Sequence, residues 1–131
     1  MDLPVLVDSN VYIDLLRQRL DPALELTSHI SQFDLATCGM VRMEVLRRIK
    51  AERVRTRMAA FFDVTQNVPA DSRLWEEAAD LAWTLDRQGR VLPATDILIA
   101  CCARRIGAVV LTMDAHFYDI PGLRVRTWPI G

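Results

Sequence analysis

Four carboxylates are the residues best placed to do chemistry in this chain. Asp8 closes the apolar run Val5-Leu6-Val7, and Asp114 follows "VVLTM". Glu44 sits inside "MVRMEVL", where most neighbours are apolar, and Asp96 sits in "LPATDILIACCA" at the start of a segment that reads as a mostly buried helix. Burying a carboxylate is costly unless it is paired or bound to metal. Each acid has a plain structural reading. Asp8 could help cap a first helix, Asp96 could answer a helix dipole, Asp114 could be an N-cap, and Glu44 could face solvent beside Arg47 and Arg48. Taken together, four acids at strand ends or in apolar helices fit one shared purpose better. Clustered like charges repel, so such a cluster is stable mainly when a cation joins it. Oxygen-only ligands make Mg²⁺ or Mn²⁺ the natural cation. A metal of this kind activates a water and shields the charge that builds on phosphoryl oxygens.

The elements that must carry these acids are legible as an alternation of short apolar strands and helices. Val5–Val7 reads as a buried strand, with Ser9 or Asn10 able to cap a helix through about Arg19. Asp21-Pro22 opens a helix to about Ser31, as a cap followed by proline at the first helical position. Asp34–Cys38 fits a second strand. Helix begins at Met40, with Val41, Val45 and Ile49 on one face, and continues, with or without a break, through "AERVRTRMAAFF". "DVTQNVP" is a strand or extended link ended by Pro69. Ser72–Gln88 is a long helix stopped by Gly89, and "ATDILIACCARRIG" is a helix ending near Gly107. "AVVLT" is the clearest strand, "MDAHFYDIPG" is a turn or short helix, and "LRVRTW" is a last edge strand. No hairpin alternation appears, which favours an α/β sandwich with a mainly parallel central sheet. In such a sheet ligands bind beyond the carboxyl ends of the strands, so Asp8 and Asp114 are expected on the same functional edge.

Bulk composition narrows the function classes. A length of 131 residues, 51% hydrophobic and 25% charged, is expected to form one globular domain over residues 1–131. The formal net charge of −1 gives no overall case for nucleic acid. No apolar run approaches the roughly 20 residues a membrane helix needs. The N-terminus does not read as a secretory signal. Three cysteines, Cys38, Cys101 and Cys102, with no C-x-x-C, argue against a disulfide framework or a thiolate zinc site. They read as small buried hydrophobes in a reducing, cytoplasmic setting.

With these pieces in place the chain resembles a PIN-domain ribonuclease, in particular the VapC-type toxins of toxin–antitoxin pairs. The resemblance rests on "VLVDSNVYIDLL", "MVRMEVLRR", "LPATDILIACCAR" and "VVLTMDAHFYDIPGLRV" in that order, and it covers nearly the whole chain. It implies a PIN-like three-layer α/β/α sandwich and a Mg²⁺- or Mn²⁺-dependent endoribonuclease. By resemblance, Asp8, Glu44, Asp96 and Asp114 match the acidic metal-binding positions. Asn10 matches a polar residue common after the first Asp, and Thr112 matches a hydroxyl near the site. The resemblance further implies a cognate VapB-type antitoxin and a homodimer, to which Trp75, Trp83 and Trp128 would lend spare apolar surface. One departure stands out. Many members carry another acid or Asn two residues beyond the last Asp, where this chain has His116. That histidine either orients a phosphate or water, or packs beside Phe117.

A basic strip adds a separate signal. Of sixteen basic residues only Lys50 is not arginine, and seven fall between positions 42 and 57: Arg42, Arg47, Arg48, Lys50, Arg53, Arg55 and Arg57. Such strips attract phosphate backbones, although a solvated helix face or a docking face for an acidic partner has the same composition. Two other functions compete. One is a catalytically weak PIN-like module that binds RNA or a partner without cutting. The other is a small phosphatase or receiver domain, which would want an acid at position 10 or a lysine after a late strand, and Asn10 and Lys50 meet neither need.

Overall fold

Short β-branched and apolar runs form the three central strands, while the two edge strands carry exposed polar residues. The computed structural model describes residues 3–130. In chain order the elements are β1 (Val5–Val7), α1 (Ser9–Arg17), α2 (Pro22–Thr27), β2 (Leu35–Cys38), α3 (Gly39–Leu46), α4 (Glu52–Asp63), β3 (Gln66–Val68), α5 (Ser72–Arg87), α6 (Ala94–Ile106), β4 (Val109–Thr112) and β5 (Arg124–Thr127). Short 3₁₀ turns lie at Gln32–Asp34 and Ala115–Asp119.

The strands form one sheet in the order β3-β2-β1-β4-β5, and every pairing is parallel. Every residue of β2 and β4 is buried, as expected of strands covered on both faces, while β5 is an edge strand with exposed Arg124, Arg126 and Thr127. The chain steps from β1 to β2 to β3 in one direction, then returns across the sheet to β4. Right-handed crossovers place α1–α4 over one face and α5 and α6 over the other, which gives the expected three layers. The direction of winding reverses between β1 and β4, with Val7 paired to Leu111. Such a reversal opens a crevice at the carboxyl ends of those two strands.

Local chemistry moved several boundaries. α1 ends at Arg17 rather than Arg19, because Arg19 adopts a left-handed φ of 60° that no helix continues through. α2 ends at Thr27 rather than Ser31. The hydroxyls of Thr27 and Ser28 donate back to the carbonyls of Ala23 and Glu25, and the chain then turns through the 3₁₀ segment. The helical stretch after Met40 breaks at residues 47–51, so Ile49 lies between α3 and α4 instead of continuing the Val41–Val45 face. Neither Ser9 nor Asn10 caps α1. The capping position is Asp8, whose side chain makes no cap bond. Elsewhere the expected caps hold: Asp21 accepts from the Ala23 N–H, and α6 ends on Gly107 at a φ of 65°.

The core runs through both faces of the sheet. Fully buried Tyr12 on α1 meets Phe62 on α4 edge-to-face, ring centroids 5.2 Å apart. Cys38, Cys101 and Cys102 are free thiols buried in this core. Trp128 is also core, with His29 edge-on to it, and so offers no spare surface. Trp75 and Trp83 on α5 do remain exposed. Among the described residues no helix is long and apolar enough to cross a membrane.

Candidate metal centre

The crevice between β1 and β4 is where the acids meet. Asp8 is the first residue past β1 and only 3% exposed. Its backbone N–H donates to the Leu111 carbonyl at 2.9 Å, which continues the β1–β4 ladder and fixes the Cα beside β4. With no helix cap to make, its carboxylate is free to turn inward. Thr112, the last residue of β4, donates its hydroxyl to Asp8 Oδ2 at 2.8 Å. The same hydroxyl oxygen accepts from the Asp114 N–H at 2.9 Å and from Asn10 Nδ2 at 3.3 Å. Asn10 Oδ1 in turn accepts from the Met113 N–H at 3.3 Å. A hydroxyl has one proton and two lone pairs, and all three are used here, so Thr112 has one orientation open to it.

Glu44 projects from the middle of α3 into the same region. It is half-buried and does not share the solvent strip of Arg47 and Arg48. Its Oε1 accepts from the Ser9 hydroxyl at 3.1 Å, and that hydroxyl also lies 3.4 Å from Asp8 Oδ1. Asp96 stands in the first turn of α6, where the helix start and the surrounding burial compete over its charge. Asp114 caps the following 3₁₀ turn, its Oδ1 accepting from the His116 N–H at 2.9 Å. One oxygen thus serves the structural role expected of a cap. His116 Nδ1 lies 3.1 Å from Asp114 Oδ1 and 3.9 Å from Asp96 Oδ2. Phe117 enters the core while the imidazole stays exposed over the acids, so His116 belongs with the site and not with the packing.

The electrostatics follow from burial and like charge. Burial raises the Asp8 carboxyl above the ordinary carboxylate range. The Thr112 hydrogen bond pulls it back, and Glu44 pushes it further up. Asp96 is pushed up to about 6, first by burial and then by the charges of Asp8 and Asp114, with His116 opposing. A carboxyl raised in this way holds negative charge at a cost, and a cation would relieve that cost.

The four acids read from the sequence therefore lie around one crevice, with Asn10 and Thr112 between them. They are not equivalent. Among the described residues, ligand atoms of Asp96, Asp114 and His116 converge to within 4.8 Å of one another. Asp8 and Glu44 stand beside it, joined through Ser9. Ser9 was missed as a site residue because a serine after an aspartate at a helix start reads as a cap. The available signal was its place beside a buried carboxylate in an otherwise apolar stretch.

Among the described residues the basic strip is largely free of intramolecular pairing. Arg47, Arg48, Lys50, Arg53, Arg55 and Arg57 are exposed, while Arg42 is bound to Asp63 at 2.8 Å. A groove of about 730 Å³ runs between α1 and the α3–α4 break, lined by Ile13, Leu16, Val45 and Ile49 with Arg17, Arg47, Arg48 and Lys50 around them.

Comparison with known proteins agrees with this fold. The family model described as PIN domain matches residues 5–123. No curated protein matches the chain. Among solved structures, it is similar to DNA-bound VapBC from Salmonella typhimurium at 22% identity and a TM-score of 0.81, covering 97% of this chain and 99% of that one. It is similar to a toxin–antitoxin complex from Klebsiella pneumoniae at 24% identity and a TM-score of 0.68, covering 94% and 96%. It is also similar to VapC20 of Mycobacterium tuberculosis, a sarcin–ricin loop cleaving toxin, at 20% identity and a TM-score of 0.67, covering 93% and 98%. At these identities the likeness is one of fold.

Proposed function

The chain belongs to the PIN-domain family, and from that premise we propose that it is a divalent-metal-dependent endoribonuclease, the toxin of a type II toxin–antitoxin pair. The observation that carries the reading is the hydrogen-bonded path from Asp8 through Thr112 to Asp114, with Asp96 and Glu44 facing it, at the reversal point of the sheet. A structural role for any one acid would not bring all four to one crevice.

The donor set fits a small divalent ion. Asp96, Asp114 and His116 bring ligand atoms within 4.8 Å of one another, close enough to share one ion. Asp8, Glu44, Asp96 and Asp114 are the acids that would hold Mg²⁺ or Mn²⁺. When bound, such an ion supplies Lewis-acid stabilisation of phosphoryl charge and a water of lowered pKa. The chain's own residues do the positioning. Thr112 and Asn10 fix Asp8 and the backbone at Met113 and Asp114, and Ser9 holds Glu44 toward Asp8. The exposed arginines of α4 and of the break before it would grip the RNA phosphates, with guanidinium forks matched to phosphate geometry.

The partners follow from the same reading. A VapB-type antitoxin would restrain the activity, in keeping with the toxin–antitoxin complex among the similar structures. A second copy would cover part of the exposed α5 face around Trp75 and Trp83. Light scattering at micromolar concentration should then show more than the 14.9 kDa monomer. The chain would act in the cytoplasm as one domain spanning residues 1–131. The deciding experiment incubates total RNA with the protein in Mg²⁺, in Mn²⁺ and in excess EDTA, and maps new 5′ and 3′ ends. Discrete ends that need metal and vanish in Asp96→Asn support the reading. RNA binding with no new ends in any metal would replace it with a non-cutting binding module.

A further inference from the structure

His116 occupies a place that an all-oxygen Mg²⁺ site does not need. Its imidazole is exposed, yet Nδ1 turns back over the acids, 3.1 Å from Asp114 Oδ1 and 3.9 Å from Asp96 Oδ2. The backbone of the same residue is tied down, because its N–H donates to Asp114 Oδ1. The adjoining Phe117 is fully buried, which anchors the 3₁₀ turn that carries both residues. The ring therefore sits on an anchored turn, with Nδ1 placed where the two carboxylate oxygens converge.

We infer that His116 Nδ1 is itself a metal ligand, and that the Asp96–Asp114–His116 set makes this protein select Mn²⁺ or a later first-row transition ion over Mg²⁺. This inference rests on the metal-centre reading above and adds the identity of the third donor and the ion it favours. Mg²⁺ is a hard ion that takes oxygen ligands and keeps its waters, so an imidazole gains it little. Imidazole nitrogen suits first-row transition ions, whose affinity for nitrogen donors rises along the series from Mn²⁺. Replacing an oxygen donor by imidazole therefore shifts the preference between the two ions even where the carboxylates are the same. The alternative role for His116 is a charged partner of Asp114, which would change the affinity for both ions alike.

The test uses the full-length chain and the metals alone, without RNA. Mn²⁺ binding is followed by the electron paramagnetic resonance of the free ion, and Mg²⁺ binding by its competition. Electron spin-echo modulation on bound Mn²⁺ then reports directly coordinated nitrogen. The wild type should show nitrogen coupling. His116→Ala should lose that coupling and raise the Mn²⁺ dissociation constant at least about tenfold, while the Mg²⁺ constant moves less than about twofold. His116→Asp, which restores an oxygen donor, should bind Mg²⁺ more tightly than the wild type and show no nitrogen coupling. His29, the chain's other histidine, packs against Trp128, so the signal is assigned by its loss in the variants. Mn²⁺ binding without nitrogen coupling, or an equal loss of Mn²⁺ and Mg²⁺ affinity in His116→Ala, would overturn the assignment while leaving a carboxylate metal centre intact. No Mn²⁺ binding by the wild type would overturn the metal centre itself.

Discussion

The Ser9 hydroxyl lies 3.1 Å from Glu44 Oε1 and 3.4 Å from Asp8 Oδ1, so one small side chain stands between two acids carried by different helices and strands. A hydroxyl has one proton, and it can satisfy only one of these carboxylates fully at a time. Ser9 thus spaces the two acids as well as bonding to them. Ser9→Ala should lower single-turnover RNA cleavage about ten- to a hundredfold, the range typical of residues that orient metal ligands. Its melting temperature should change little, since one modest hydrogen bond is worth about 1 kcal/mol. Ser9→Thr keeps the hydroxyl and should recover most of the rate. Wild-type cleavage by Ser9→Ala would remove any positioning role for this residue.

Thr112 is the most heavily bonded side chain of the site, and replacing its hydroxyl by a methyl group should be felt in stability as well as in activity. Thr112→Val keeps the shape and leaves the buried Asp8 carboxylate without its 2.8 Å donor. An unpaired buried polar group costs about 1–3 kcal/mol, so urea unfolding of the metal-free variant should show a loss of that size. The loss should be greater at pH 7 than at pH 4, because a protonated Asp8 demands less of its donor. A variant as stable as the wild type at neutral pH would show that Asp8 finds another partner.

In the proposed metal centre, Asp96 would tie metal binding to pH. Its ordinary value is 3.8 and its value in the fold is about 6, so the folded state holds this proton more tightly than the unfolded state does. In the metal-free protein the contribution of Asp96 to stability is therefore fully present below pH 3.8 and is lost as pH rises through about 6. Asp96→Asn removes that pH dependence. In EDTA the variant should melt above the wild type at pH 7.5, and the gap should close by pH 4. With metal the order should reverse. A ligand at a hundredfold excess over its Kd adds about 2.7 kcal/mol to the protein that binds it, and only the wild type keeps the full ligand set. Metal affinity of the wild type should fall below pH 6, as the proton competes for the same oxygen. Identical melting curves in EDTA and in millimolar Mn²⁺ at pH 7.5 would count against the centre.

Arg48 should separate binding from chemistry. It is exposed beside the groove at the end of α3, two residues beyond the last helical turn that carries Glu44. Arg48→Ala should weaken RNA binding and reduce the slope of log K against log salt by about 0.7, the value for one single-strand phosphate contact. Cleavage of RNA already bound should proceed at close to the wild-type rate. Filter binding at two salt concentrations, read beside single-turnover cleavage, checks both. An unchanged salt slope would make Arg48 part of a solvated face only.

The sequence alone determined the layout that makes a site possible. Short apolar runs ending in acids, separated by helices, admit few arrangements other than a parallel sheet, because parallel strands need crossovers and buried strands need cover on both faces. That placed Asp8 and Asp114 on one edge, and it made Glu44 and Asp96 conspicuous as charges in apolar helices. The resemblance named Asn10 and Thr112. What the sequence could not carry was orientation. Ser9 looked like a cap and points instead at two carboxylates, and Glu44 turned out to face Ser9 and not the solvent strip of Arg47 and Arg48. His116 stood open between packing and chemistry until the 3₁₀ turn directed Nδ1 to Asp114 and Asp96. The break at residues 47–51 was equally open, since α3 and α4 share helical periodicity across it. Periodicity reports which face of an element is buried, a property of neighbours in the chain. Which side chains share a proton or a metal depends on residues as far apart as Asp8 and Thr112, and only the closing of the sheet between β1 and β4 sets that distance.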